Sequence, residues 1–539
     1  MAVTLPDTAR LAAAALRAGV RSGLIAPVRP DRAVRMAGAA LRLAPGIGLV
    51  AALDAARHPE RVAVIDDEGS LTFAQLDAQV GRLAAALGDR FGVGPDRGLA
   101  VMCRNHRGFV IAALAGSRLG ADLLLLNTDF SAPQLAQTLA PHRLGAIVHD
   151  EEFAQRFDEA AVATPRVLAE PASFEELAAG ATRAATSRRA GRIVLLTSGT
   201  TGAPKGAPRS ISAVALASVG VSALDSMRLR SGEPVLVAPP FFHGFGLAGL
   251  GTALALGSPV VSMRRFDAQR VLELIDRDRV AVLFAVPVML KRMLAVPEAQ
   301  RRALDTSSLR VALSAAAPLS ASLASEFMDV FGDVVFNGYG STEVGVVALA
   351  TPADLRAAPG TVGRPPDGIT VRILDGEDRA VAAGETGRIF VGSSMLFEGY
   401  TGGGGKEMVG SAMSTGDRGH FDEDGRLFID GREDDMIVSG GENVFPGEVE
   451  EALARHPAVA DVAVIGVDDE DFGQRLAAYV VAAPGARPTA DELKAHVKAQ
   501  LARYKVPRDV HFLDELPRNP TGKLLRKALA SGDGRAQDA

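Results

Sequence analysis

The stretch Leu196-Thr197-Ser198-Gly199-Thr200-Thr201-Gly202-Ala203-Pro204-Lys205-Gly206 concentrates groups that bind anions. Its glycines let backbone N–H groups approach an oxyanion, the hydroxyls of Thr197, Ser198, Thr200 and Thr201 add donors, and Lys205 adds a point charge. That is the make-up of a phosphate cradle. It is not a Walker A loop, which needs Gly-Lys-Ser/Thr in direct succession, because Ala203 and Pro204 separate Gly202 from Lys205. The apolar run from Arg192 to Leu196 reads as the buried strand that delivers the loop.

Other motifs follow in order. They are Asn337-Gly338-Tyr339-Gly340-Ser341-Thr342-Glu343, Ser414-Thr415-Gly416-Asp417 with Gly431-Arg432, Gly440-Gly441-Glu442-Asn443 running on to Glu450, and Pro517-Arg518-Asn519-Pro520-Thr521-Gly522-Lys523. With the phosphate loop, this series resembles the adenylate-forming superfamily of acyl-CoA synthetases, firefly luciferase and peptide-synthetase adenylation domains. The resemblance covers about residues 55 to 530.

The chemistry it implies starts from a poor electrophile. A carboxylate must be turned into a mixed anhydride with AMP, so negative charge has to be neutralised around the α-phosphate. By resemblance, Glu343 is the Mg²⁺ ligand and Thr342 donates to the α-phosphate. Tyr339 offers a ring face to adenine, Ala317-Pro318 covers the other face, and Asn337 or Gly338 meets the adenine edge, with Gly340 in the same turn. Asp417 takes the ribose hydroxyls and Arg432 donates to the same sugar. Lys523, on a long flexible stem, holds carboxylate and α-phosphate in line. Asp434 is the hinge candidate, about which a small C-terminal domain swings to bring in Gly440, Gly441 and Glu442. Their glycines let a pantetheine thiol pass close to the backbone. Phe242, His243 and Phe245 resemble the lining of the acyl pocket, with His243 as gate or carboxylate contact, and Ala315 stands beside it.

The expected activity is therefore an ATP-dependent acyl-CoA ligase acting on a hydrophobic medium-chain, long-chain or polycyclic acid, with ATP, Mg²⁺ and coenzyme A. An enzyme specialised for one half-reaction, or one transferring the acyl group to a carrier protein, is the alternative. A non-catalytic acyl or AMP binder ranks behind both, because Lys205, Glu343, Asp417 and Lys523 are all retained. The sequence departs from the family where Ser314-Ala315-Ala316-Ala317-Pro318 carries alanine in place of the common glycine. Arg209 and the Gly402 to Gly405 run also differ from the usual pattern.

The elements that hold these residues follow from apolar periodicity. Leu99 to Cys103, Phe109 to Leu119 and Asp122 to Leu126 read as a βαβ unit, with helix Pro133 to Ala140 and strand Gly145 to His149 continuing the alternation. The C-terminal stretch reads helix Gly447 to Ala454, strand Val459 to Val467, strand Arg475 to Ala482, helix Ala490 to Leu501. The predicted fold is α/β: a basic helical extension (1–50), a large N-terminal α/β domain of several subdomains (51–433), and a small mobile C-terminal α+β domain (434–539).

Composition agrees with a globular enzyme. Across 539 residues the net charge is −6, which excludes a binder of nucleic acid dominated by a basic surface. The single Cys103 excludes a disulfide framework and suits a cytoplasmic protein. The charge-free run Pro234 to Met263 is interrupted by prolines and glycines, so no transmembrane segment is expected. Residues 1–50 hold seven Arg and two Asp, a balance of +5, which leaves −11 for the rest. Amphipathic helical spacing there leaves peripheral membrane contact open beside a plain solvated helix, and a homodimer is also left open. Only eight of the 58 basic residues are lysines.

Overall fold

The computed structural model describes residues 5–181, 186–197, 205–207, 213–341, 343–393, 396, 405–439, 442–469, 473–519 and 522–530, and for 5–12, 197, 205–207, 213–219, 438, 442–443, 473 and 527 it describes the backbone alone. Apolar runs with no polar alternation form strands buried on both faces, and these assemble into two largely parallel sheets. One has eight strands in the order Gly345–Ala350, Val335–Ser341, Val311–Ser314, Val282–Ala285, Val235–Val237, Val260–Val261, Val62–Asp66, Gly69–Thr72. Its inner strands run parallel and its two edge strands antiparallel. The other has six strands, Arg166–Leu168, Leu144–His149, Gly98–Met102, Leu123–Leu125, Ile193–Thr197 and Lys205–Ala207, the last antiparallel to its neighbour.

The largest hydrophobic cluster joins both sheets through helices Phe73–Phe91, Arg107–Arg118 and Gly244–Ala255. Helix Arg107–Arg118 is buried on almost every side, which is why its sequence is apolar all round rather than striped. It is anchored at its first residue, where the Arg107 backbone N–H and guanidinium both reach Asp66 at the end of strand Val62–Asp66. Truncating a fully buried side chain here, such as Phe109, should cost about 3–5 kcal/mol.

A five-stranded antiparallel sheet follows, in which Ala412–Phe421 lies between Gly387–Gly392 and Leu427–Arg432. The C-terminal part forms its own sheet, with Val459–Asp469 and Gly473–Ala482 at its centre, over a separate core that includes Val449, Leu453, Leu493 and Val497. The architecture is thus mixed α/β with a large N-terminal part and a small C-terminal one, as expected. The run Pro234 to Met263 folds as strand, loop, helix and strand, and no described helix is long and apolar enough to cross a membrane. The N-terminal extension forms helices Leu5–Arg21 and Pro30–Arg42, and a third, Ile47–Arg57, runs across residue 50.

Candidate active site

Parallel sheets present ligands at the carboxyl ends of their strands, and the sequence motifs gather there. Ser314 at the end of its strand is in register with Asn337 on one side and Ala285 on the other. Ala315 therefore lies beside Gly338, where a side-chain carbon added to the glycine would stand 3.5 Å from the Ala315 methyl. Ala317 is half-buried and Pro318 exposed at the same edge. Asn337 is buried, its amide donating to the Thr361 carbonyl. Gly340 is fixed by close approach rather than flexibility, since a Cβ there would fall 2.1 Å from the Gly345 carbonyl oxygen across the hairpin.

Tyr339 points its hydroxyl at Asp417, donating to Oδ2 at 2.5 Å. Asp417 in turn is in antiparallel register with Arg432, whose guanidinium comes within 3.9 Å of Oδ1. Burial pushes the Asp417 carboxyl above its usual range, while Tyr339, Arg432 and Lys406 pull it back. Burial and the neighbouring Asp417 likewise push the Tyr339 phenol well up, so it stays a donor. Arg432 also donates to exposed Asp434 at 2.8 Å; burial opposes ionisation of Asp434, but this bond holds its carboxyl below the usual range. The hinge candidate is thus tied to the ribose-motif arginine.

Glu343 is half-buried and accepts from the Ser341 hydroxyl at 2.9 Å. Thr342 lies outside the described residues, as do Ser198, Gly199, Thr200, Thr201, Gly202, Gly440 and Gly441. The flanks of the phosphate loop are described: Thr197 and Lys205 face each other in antiparallel register at the edge of the six-stranded sheet. Glu442 is placed by its backbone in strand Glu442–Val444.

On the acyl side, Phe242 is buried and Phe245 half-buried against Phe284, with ring centroids 5.4 Å apart. His243 stands at the N-terminus of helix Gly244–Ala255, its ring 4.5 Å from that of Phe242. Its Nε2 is buried without a hydrogen-bond partner, and burial lowers its pKa to about 4. The imidazole is therefore neutral, with an unused polar atom.

Lys523 is exposed on a tight turn: its N–H donates to the Asn519 side chain, and its carbonyl accepts from the Asn519 N–H, both at 2.9 Å. Preceding Gly522 has φ +75° and abuts Val288, where a Cβ would lie 2.6 Å from the valine methyl. Val286 directly follows strand Val282–Ala285 and Val288 lies in the first turn of the next helix, so the lysine turn is seated at the carboxyl end of that strand of the eight-stranded sheet.

Several contributors were not singled out from sequence. Asn105 fixes the turn before Phe242, donating to the Val237 and Pro239 carbonyls and accepting the Phe241 N–H at 2.7 Å. Its signal was only an asparagine after a buried strand. Lys406 reaches the Gly416 turn, its Nζ 3.2 Å from where a Cβ would stand. Lys505 pairs with Glu448 at 2.5 Å. Cys103 is buried and its thiol is pushed well up by burial.

A carboxylate–arginine pair, the tyrosine that donates to it and a lysine turn thus gather beside the carboxyl ends of a largely parallel sheet in an α/β protein. The family model "AMP-binding enzyme" matches residues 52–401 and "AMP-binding enzyme C-terminal domain" matches 448–523. The chain belongs to the AMP-binding enzyme family, in its acid–thiol ligase branch. It is 32% identical to the fatty acid–acyl-carrier-protein ligase ScoC of Streptomyces coeruleorubidus, over 88% of this chain and 94% of that protein. It is 35% identical to a methyl-dioxo-octahydroindenyl-propanoyl:CoA ligase of Rhodococcus jostii, over 87% and 95%. Among solved structures, the o-succinylbenzoate CoA synthetase of Bacillus subtilis superposes with a TM-score of 0.78 at 29% identity, covering 91% of this chain and 99% of that one.

Proposed function

We propose that the chain activates a hydrophobic carboxylic acid with ATP and passes the acyl group to coenzyme A. The carboxylate oxygen attacks the α-phosphorus and pyrophosphate leaves. The thiol sulfur of coenzyme A then attacks the acyl carbonyl, loses its proton, and displaces AMP. The observation that carries this reading is the Tyr339–Asp417–Arg432 constellation on the sheet edge against which the Lys523 turn is seated. Asp417 and Arg432 hold the ribose, Tyr339 faces adenine while orienting Asp417, and Lys523 bridges acyl carboxylate and α-phosphate. Thr342, Thr197, Lys205 and the loop between them contact the phosphates.

Glu343 fits a Mg²⁺ ligand: a single hard carboxylate already oriented by Ser341 suits an ion that shares its shell with phosphates and water. That ion would neutralise phosphate charge. His243 supports an apolar acid, because its unpartnered Nε2 can meet one carboxylate oxygen while its ring packs beside that of Phe242. The Rhodococcus relative, named for a bicyclic propanoate, points the same way. Asp434 serves as hinge, and turning about it would exchange the lysine turn for Gly440, Gly441 and Glu442.

The purified chain, given ATP, Mg²⁺, coenzyme A and a panel of straight-chain, aromatic and polycyclic acids, should release pyrophosphate and AMP and form a thioester with the apolar members. Failure of every acid to yield pyrophosphate defeats the reading. The ScoC relative favours one second reading, a carrier-protein acceptor. Acyl transfer to a phosphopantetheinylated carrier but not to coenzyme A would establish it.

A further inference from the structure

Far from these motifs, Arg29, Arg32, Arg57, His58 and Arg61 converge on one cavity of about 240 Å³ under the N-terminal extension, and no acidic residue lines it. Its wall includes Ser231, and Arg61 also contacts Gly257. Arg61, Ser231 and Gly257 precede strands Val62–Asp66, Val235–Val237 and Val260–Val261. The cavity therefore sits at the amino ends of the parallel strands, on the edge opposite the nucleotide motifs. Part of it comes from residues 23–32, ahead of the family match that starts at 52.

The guanidiniums are held in place by neutral acceptors. Arg32 donates to the Arg57 carbonyl at 2.7 Å and Arg57 to the Leu24 carbonyl at 2.6 Å. Arg61 donates to the Gly257 carbonyl at 2.8 Å and to the Ser231 hydroxyl at 3.2 Å. Among the described residues none of these three is in an ion pair, whereas exposed Arg29 has Asp31 at 3.3 Å. The carboxylate acting on Arg61 is Asp54, which burial raises to about 7, so that it is only partly ionised at neutral pH. Burial, then the charges of Arg61, Arg57 and Arg32, hold His58 down to about 4. Half-buried like charges repel strongly, and neutral carbonyls offset little of that. A bound oxyanion would, and the planar guanidinium fork matches tetrahedral phosphate oxygens.

We propose that this cavity binds a phosphate group, carried either by a soluble phosphate ester or ion or by the headgroup of an anionic phospholipid. Several cations with no lining carboxylate suit a doubly charged or multiply accepting anion better than a single carboxylate. The neutral His58 adds one N–H donor. Exposed Ile25, in the same segment as the lining residues, gives the lipid source an apolar contact.

The test uses the full chain in two arms. Calorimetric titration with inorganic phosphate and glycerol phosphate reads the soluble source. Flotation with phosphatidylcholine vesicles, with and without phosphatidylglycerol, reads the headgroup. Binding is expected in at least one arm, weakening as salt is raised. R32Q/R57Q should bind about tenfold or more weakly, while R35Q/R42Q, on outward positions of helix Pro30–Arg42 and not lining the cavity, should bind as the parent does. A cooperative thermal melt confirms that R32Q/R57Q is folded. If it is not, R32Q alone, which keeps the Arg57 bond to Leu24, takes its place. The proposal fails if the parent binds in neither arm, if the lining variant binds normally, or if both variants lose binding equally.

Discussion

Replacing Tyr339 with phenylalanine tests the nucleotide site at its most specific joint. The ring that would face adenine stays, and only the hydroxyl that donates to Asp417 at 2.5 Å is lost. A hydrogen bond to an ionised partner is worth about 1.5–3 kcal/mol, or roughly 10- to 150-fold in an equilibrium constant. Arg432, 3.9 Å from the other carboxylate oxygen, remains, and water can enter the space of the lost hydroxyl. The expected effect is therefore the lower end: KM for ATP up about tenfold, with kcat changed less.

The pH profile gives an independent reading. Burial raises the Asp417 carboxyl and the phenol lowers it. Removing the phenol must move its pKa further up. Ribose binding needs the ionised carboxylate, so ATP affinity is present above this pKa and is lost as pH falls through it. The acid limb of kcat/KM for ATP should therefore shift to higher pH in Y339F. The double variant Y339F/D417N should be no worse than D417N, because the hydroxyl acts through that carboxylate. A KM for ATP within twofold of the parent with an unmoved acid limb, or strictly additive losses in the double variant, refutes the assignment.

Lys523→Ala should abolish pyrophosphate release while keeping most thioester formation from a supplied acyl-adenylate; equal loss in both assays would mean that Lys523 does not act in adenylation alone. Gly522→Ala, forced against Val288 at φ +75°, should mimic it by unseating the turn, and normal adenylation would show that the seat is dispensable. His243→Ala should raise KM for the acid without changing the pH profile between about pH 5.5 and 8, since the imidazole is already neutral there with its pKa at about 4; a parent limb in that range that vanishes in the variant would contradict this. Ala316→Gly should stabilise the fold by roughly 0.5–1 kcal/mol, because an alanine at φ +70° carries a left-handed penalty that exceeds the entropy glycine adds. A lower melting temperature would count against it.

Local pattern and long-range pairing divide what was legible in the sequence. The βαβ unit at Gly98–Met102, Arg107–Arg118 and Leu123–Leu125 was readable because apolar runs bounded by turn residues carry their own period. The predicted strand and helix ends lie within a residue or two of the observed ones. Motif residues are legible as types, and the pairing of Asp417 with Arg432 that the resemblance implies agrees with their strand register. What could not be read is who meets whom across the chain. Tyr339 and Asp417 lie 78 residues apart, and nothing in either segment marks the hydroxyl as the partner of the carboxylate. Asn105 meets the turn at Phe241 across 136 residues for the same reason. The alanines at 315–317 showed as a departure from the family, but that Ala316 takes the left-handed backbone region is a property of the turn and not of its composition.

The lysines sharpen this point. In a chain where arginine is the default base, Lys291 on helix Pro287–Leu294 reaches across to the C-terminal part, donating to the Ala460 carbonyl and approaching Asp461 to 3.6 Å. The same Asp461 accepts two bonds from Arg518, at 2.9 and 3.2 Å, and Arg518 also donates to the Gly522 carbonyl at 2.9 Å. A chain of contacts thus runs from the large part through Asp461 to the turn that carries Lys523. Its two links differ in kind. Arg518 holds Asp461 inside the small part through one nitrogen, Nη2, which donates to both carboxylate oxygens, so this contact moves with that part as a rigid body. Lys291 spans the junction with a half-exposed ammonium, and exposed pairs of this sort are worth only about 0.2–1 kcal/mol. If the small part turns between half-reactions, as the family resemblance implies, the junction must part in every cycle. A lysine there gives a contact weak enough to release and mobile enough to re-form, whereas a bidentate arginine would add to the barrier of each turn.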